Sequence, residues 1–242
     1  MPKVIFRKMS LEENINNIKW MYFSDDSSLN FRSAVVNYFP DLKDIDDSLS
    51  KEEKNMKIED LIKECYEYSE SRLDEEAKRY NEVWGKYNKD YFNTLSKYLN
   101  IDWPTGKEEI IASVGLIPIF PRYLDTFSFD LSYGLEDKKI VEVTAHETLH
   151  FLWFEKWKKM YPDCVREEFD YPHIVWEYSE MVTAPILNSK EINKVLQIEE
   201  KSYDYFYEIN GLMDGLNNIY ASNKSIEEKI CDGFEFSKLR RK

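Results

Sequence analysis

Only three histidines occur in the 242 residues, and two of them stand four apart in His146-Glu147-Thr148-Leu149-His150. On a helix, residues at i and i+4 lie one above the other, so both imidazoles can reach one cation. Zinc takes imidazole nitrogen at about 2.0–2.1 Å, and catalytic zinc uses three protein ligands with one position left open. Glu147 follows the first histidine, where its carboxylate can reach a water on that metal and accept its proton as the metal lowers the water's pKa. With so few histidines, H-E-x-x-H is expected by chance only about 0.004 times in such a chain. The plainer readings are that chance, or two histidines that are ordinary core groups.

These side chains need a helix to hold them. Val143, Ala145, Leu149, Leu152 and Trp153 supply apolar faces for one spanning about 138–159. Lys156, Lys158 and Lys159 sit near the negative end of its dipole, and Pro162 stops it. Ahead of it, 110–120 reads as a buried strand ending at Pro118 or Pro121. Residues 126–133 alternate strictly: Phe127, Phe129, Leu131 and Tyr133 on one side, Thr126, Ser128, Asp130 and Ser132 on the other. That period predicts a half-buried strand. A second helix is expected over about 172–184, with Pro172 in its first turn and Pro185 ending or kinking it. The remainder reads as helical, with stops near Gly211 and Gly215.

Towards the N-terminus, 29–39 reads as a short helix ending before Pro40. Ser50-x-x-Glu53 is a capping box that opens a long helix. Its apolar positions include Ile58, Leu61, Ile62, Cys65, Tyr68, Ala77, Tyr80, Val83, Trp84, Tyr87, Leu95 and Tyr98. The spacing weakens over 69–76, and Gly85 marks a bend. This aromatic stripe reads as a core face, with a ligand-binding aromatic box as the sharper alternative.

Formal net charge is −13, from 33 Lys+Arg against 46 Asp+Glu, which disfavours nucleic-acid binding. The basic tail Lys238, Arg240, Arg241, Lys242 is too short to reverse this. The acidic pairs Asp25-Asp26, Asp46-Asp47 and Glu52-Glu53 read as solvated surface, because neighbours in sequence point apart. Cys65, Cys164 and Cys231 form no C-x-x-C pair, and no secretory or membrane segment is evident. A cytoplasmic setting with no membrane partner is therefore expected.

The motif segment resembles the zincin metallopeptidases. That resemblance covers about 110–187 and implies that His146 and His150 bind zinc, with Glu147 as the general base. It also implies that an edge strand such as 126–133, just before the motif helix, aligns a substrate backbone by strand addition. The metzincin continuation is absent: Trp153 stands where its glycine would be and Lys156 where its last histidine would be. The gluzincin pattern takes a glutamate from a downstream helix. Ser179-Glu180, followed by Ala184, looks like that pattern and favours Glu180 as third ligand, with Glu177 as the alternative. No glycine follows Glu180, and no aspartate follows either candidate at the usual distance.

His173 could stabilise an oxyanion, replace the glutamate as ligand, or be a hydrogen-bonded structural residue. Tyr178 and Tyr171 could donate to an oxyanion, and Glu142 could orient His146 or simply be solvated.

The expected fold is α+β: a small sheet with the active-site helix packed under it, helix-rich overall. A mainly helical region, 1–104, is expected to precede a zincin-like catalytic region, 105–242, as a separate lobe or as part of one compact domain with it. The expected activity is a zinc metallopeptidase with one Zn2+ per chain, acting on a peptide or protein substrate. A different class remains open: a catalytically inactive, zinc-stabilised binding or regulatory protein using the aromatic helical region as partner surface. A metal-free helical interaction protein is the third reading.

Overall fold

The computed structural model describes residues 1–24, 30–45 and 48–240. The acidic pairs at 25–26 and 46–47, the first residue of the expected 29–39 helix and the last two of the basic tail lie outside them. The elements are β1 (Lys3–Lys8), α1 (Leu11–Phe23), α2 (Phe31–Tyr38), α3 (Lys51–Gly85) and α4 (Asn88–Leu99), followed by β2 (Glu109–Gly115), β3 (Arg122–Tyr123) and β4 (Ser128–Ser132). Then come α5 (Asp137–Met160), α6 (Ile174–Leu187), α7 (Lys190–Leu196), α8 (Asp204–Glu208), α9 (Leu212–Ala221) and α10 (Ile226–Arg240). The fold class is α+β and helix-rich, as expected. Among the described residues, no helix is long and apolar enough to cross a membrane.

The chain divides into two units. One comprises 4–83 and 109–137; the other comprises 1–3, 84–108 and 138–242. The division expected at residue 104 differs from this partition. The strands of 109–137 group with the N-terminal helices because they complete a sheet that begins with β1. The segment 84–108 groups with the motif helix instead.

The first unit holds the mixed sheet, in the order β1-β2-β4-β3. β2 and β4 run parallel, with Val114 opposite Leu131, and β3 is antiparallel to β4, with Arg122 opposite Phe129. Two expectations are corrected here. β4 is an interior strand, not an edge, because the two residues of β3 and the bond from Asp130 N–H to the Pro121 carbonyl (2.9 Å) cover its outer side. Nor is β4 half-buried. Its polar face is closed by side chains that pair with it: Asn17 Nδ2 and the Tyr123 hydroxyl, each 3.0 Å from Asp130, and Tyr38, whose hydroxyl is 3.2 Å from that of Ser132. On the apolar face, Phe6 meets Phe129 and Tyr80 edge-to-face, and the Tyr80 hydroxyl donates to the Ser132 carbonyl at 2.9 Å.

α3 starts at the expected capping box: Ser50 N–H donates to Glu53, and Glu53 N–H to the Ser50 hydroxyl. Its buried line runs Ile58, Ile62, Tyr66, Ser69, Leu73, Ala77, Tyr80, Trp84, in unbroken steps of three and four. The apparent gap at 69–76 is therefore filled by Ser69 and Leu73. Tyr68, counted in the stripe from sequence, is 92% exposed. The stripe is a core face.

The second unit is helical. α5 begins and ends within a residue of expectation, and from Thr144 to Trp157 only His146 and Glu155 are not buried. A helix enclosed on nearly every side is a core element, so polar groups on it need partners. Trp153 stacks on Trp157, and Lys156 is buried in an ion pair with Glu227. These two non-metzincin positions thus serve packing. α6 starts two residues later than expected, with His173 as N-cap, and Pro185 sits inside it rather than ending it. Gly215 likewise lies within α9. A side chain there would collide with Phe236, and one at Gly233 would collide with the Tyr178 oxygen, so these glycines let α9, α10 and α6 approach closely.

Candidate metal centre

α5 and α6 carry the convergent residues. One turn of α5 separates His146 from His150, and their Nε2 atoms lie 3.1 Å apart. Glu180, on α6, places Oε2 3.3 Å from His146 Nε2 and 3.5 Å from His150 Nε2. Ligands held tetrahedrally at zinc's bond length of about 2.0–2.1 Å stand about 3.3–3.4 Å from one another. The three donor atoms therefore have the spacing of one face of a zinc tetrahedron. The residues present, two imidazoles and a carboxylate, also match the donor chemistry of this metal. His150 and Glu180 are buried, while His146 is partly open.

Each member is held by its surroundings. The Tyr91 hydroxyl, from α4, donates to the Ala145 carbonyl at 2.7 Å, which anchors α5 beside His146. The His150 ring stacks on Phe154, which packs on Phe169. The Glu180 carbonyl accepts from the Thr183 hydroxyl within α6 and from the Ser202 hydroxyl, each at 2.8 Å, and the Ser202 bond ties α6 to the chain after α7.

Glu200 is the residue that sequence reasoning missed. Its Oε1 lies 2.8 Å from His146 Nδ1. This bond fixes the Nδ1–H tautomer and turns the Nε2 lone pair toward the convergent point. Asn188 in turn holds Glu200: its Oδ1 accepts from the Glu200 N–H at 2.9 Å, and its Nδ2 donates to the Glu200 carbonyl at 2.7 Å. No short-range spacing signals Glu200, 54 residues from His146. The absence of an aspartate after Glu180 was the one hint that this support comes from elsewhere.

The electrostatics favour a cation. Burial opposes protonation of His146, but hydrogen bonds to Glu180 and Glu200 and the nearby charges of Glu200 and Glu147 outweigh it and raise the imidazole well above its ordinary value. The cluster attracts positive charge, and a metal would compete with that proton. Glu147 is buried at 6% exposure on the motif helix.

The other candidates fall elsewhere. Glu177 is buried one turn before Glu180 but is not among the three residues whose ligand atoms converge. Tyr178 points away: its hydroxyl lies 3.0 Å from that of Tyr220 and donates to the Ile230 carbonyl, between α9 and α10. An oxyanion role for it is corrected by this packing. His173 is exposed at the start of α6 and lines a cavity of about 500 Å³ with Trp157, Cys164 and Phe234, outside the convergent group. Tyr171 packs edge-to-face on Trp176. Glu142 pairs with Lys138 and Lys139 at 3.6 and 3.4 Å, and Glu200 takes the orienting role considered for it.

Comparison with protein-family models, with curated proteins and with solved structures found no match for the chain.

Proposed function

We propose that the protein is a zinc-dependent peptidase of the gluzincin kind, with His146, His150 and Glu180 as metal ligands and Glu147 as general base. The observation that carries this reading is the tetrahedral-face spacing of three donor atoms, two from α5, which also bears Glu147, and one from α6. Bound zinc would supply Lewis-acid chemistry, lowering the pKa of a water and polarising a peptide carbonyl. The Glu147 carboxylate takes the proton from the attacking water and passes it to the departing amine nitrogen. Glu200 holds His146 in the ligating tautomer throughout. Burial of His150 and Glu180 excludes competing water from their side of the centre.

The test combines metal analysis of protein purified without added metal with Glu147→Gln. Stoichiometric zinc in both proteins is expected, together with cleavage of a broad peptide library by the wild type. The variant should lose about 10²–10⁴-fold in rate, the range for a positioned general base. Zinc without cleavage by the wild type would instead support the binding-protein reading. Full activity in the variant would remove Glu147 from its role.

A further inference from the structure

A cavity of about 710 Å³ opens among α4, α7, α9, α10 and the end of α6, and none of the convergent histidines or Glu180 lines it. Its size suits a small molecule, since such sites span about 300–1,000 Å³. Its charge is opposite to that of the chain. Lys97, Lys190, Lys224 and Lys229 line it against one acid, Glu191, in a protein of net charge −13. Lys224 is paired with Asp232 at 2.5 Å. Among the described residues, Lys97 and Lys190 form no ion pair, and Lys229 Nζ lies over the Tyr98 ring, 5.9 Å from its centroid.

A second observation comes from the same wall. The Tyr98 hydroxyl and the Ser189 hydroxyl are buried and have no hydrogen-bond partner among the described residues. Buried polar groups are ordinarily paired, and those that are not call for a specific explanation. Burial and the charge of Glu191 push the Tyr98 phenol up to about 12, so it stays a neutral donor near pH 7. Two donors without acceptors beside lysines without counter-ions lack the same thing: an anion rich in oxygen.

We propose that this cavity binds a small polyanion whose phosphate or carboxylate oxygens are shared by Lys97, Lys190 and Lys229 and accept hydrogen bonds from the Tyr98 and Ser189 hydroxyls. Lys229 swings from the Tyr98 ring to the ligand and uncovers the phenol as it does so. Nucleic acid does not meet the description, because the acidic remainder of the surface repels a long phosphate backbone.

The test is isothermal titration of the full chain with inorganic phosphate and, separately, succinate at about 0.15 M salt, where weak surface attraction is screened. Saturable one-to-one binding of at least one probe, with a dissociation constant below about 1 mM, is expected. The probe that binds shows whether phosphate or carboxylate is the preferred group. The Lys97→Met/Lys190→Met variant, altered only at exposed positions, should bind at least about tenfold more weakly, as removal of charge-assisted bonds requires. Tyr98→Phe should also weaken binding. No saturable binding of either probe, or binding equal in wild type and the lysine variant, would overturn the proposal.

Discussion

Replacing Glu200 tests whether the centre is built as described. Its bond to His146 is 2.8 Å long, within the range for a charge-assisted N–H···O contact. The carboxylate side chain is 9% exposed, so water screens the interaction weakly. Asn188 grips both backbone groups of Glu200, so little entropy is spent in presenting it. Partners of metal-bound histidines are worth about 10–100-fold in metal affinity. Glu200→Gln keeps an acceptor but loses the charge, and should cost about tenfold, or about 1.4 kcal/mol. Glu200→Ala loses both and should cost about a hundredfold, or about 2.7 kcal/mol. The assay is competition for zinc against a chromophoric chelator, with near-ultraviolet dichroism to confirm that packing is intact. A pH of about 8 is needed, because Glu200 also raises the proton affinity of His146, and its removal would ease proton competition and mask part of the loss. If Glu200→Ala binds zinc within a factor of about two of the wild type, the orienting role is refuted.

Other consequences are open to direct measurement. Gly233→Ala drives a methyl group into the Tyr178 oxygen and should cost about 1–3 kcal/mol, read as a Tm lower by about 2–4 °C per kcal/mol. Tyr178→Phe removes the hydroxyl shared with Tyr220 and Ile230 and should destabilise the fold by about 1–2 kcal/mol in urea, while zinc affinity stays unchanged. A change in zinc affinity would mean that the phenol serves the metal centre after all. Glu13 is held down to about 2, chiefly by its hydrogen bond to Arg7. A depressed carboxylate stabilises above its unfolded value, about 4.3, and that contribution fades as pH falls toward 2. Glu13→Gln should therefore flatten this part of the acid-denaturation curve; because the pair is partly exposed, the effect should shrink in salt.

The parts of the site that lie on helical periodicity were legible in the sequence. His146 and His150 share a face because they are four apart, whereas Glu180 was favoured over Glu177 only by the resemblance to the gluzincin pattern on the next helix. Glu200 was not legible, since its position depends on how the chain after α7 folds back to bond Glu180 and Asn188. The misreading of β4 has a similar origin. Alternating polar residues look solvent-facing until α1 and α2 supply Asn17 and Tyr38 to pair with them. Tyr178 was drawn into the site by its neighbours in sequence, whereas its hydroxyl is claimed by residues about 40–50 positions later, and only tertiary structure brings those close. Gly215 was read as a stop and Pro185 as an end or a kink from local preference, yet both lie inside helices.

The Glu200 contact also sets an order of events during synthesis. At about 5–20 residues per second, a ribosome adds Glu200 roughly 3–11 s after His146. Both histidines and Glu180 are made before the carboxylate that orients the first of them. Until residue 200 leaves the exit tunnel, the nascent chain presents His146 without the carboxylate that bonds its Nδ1. If the centre holds metal as proposed, competence to retain it is a late property of the growing polypeptide, and a chain released before residue 200 would carry the motif without its orienting carboxylate.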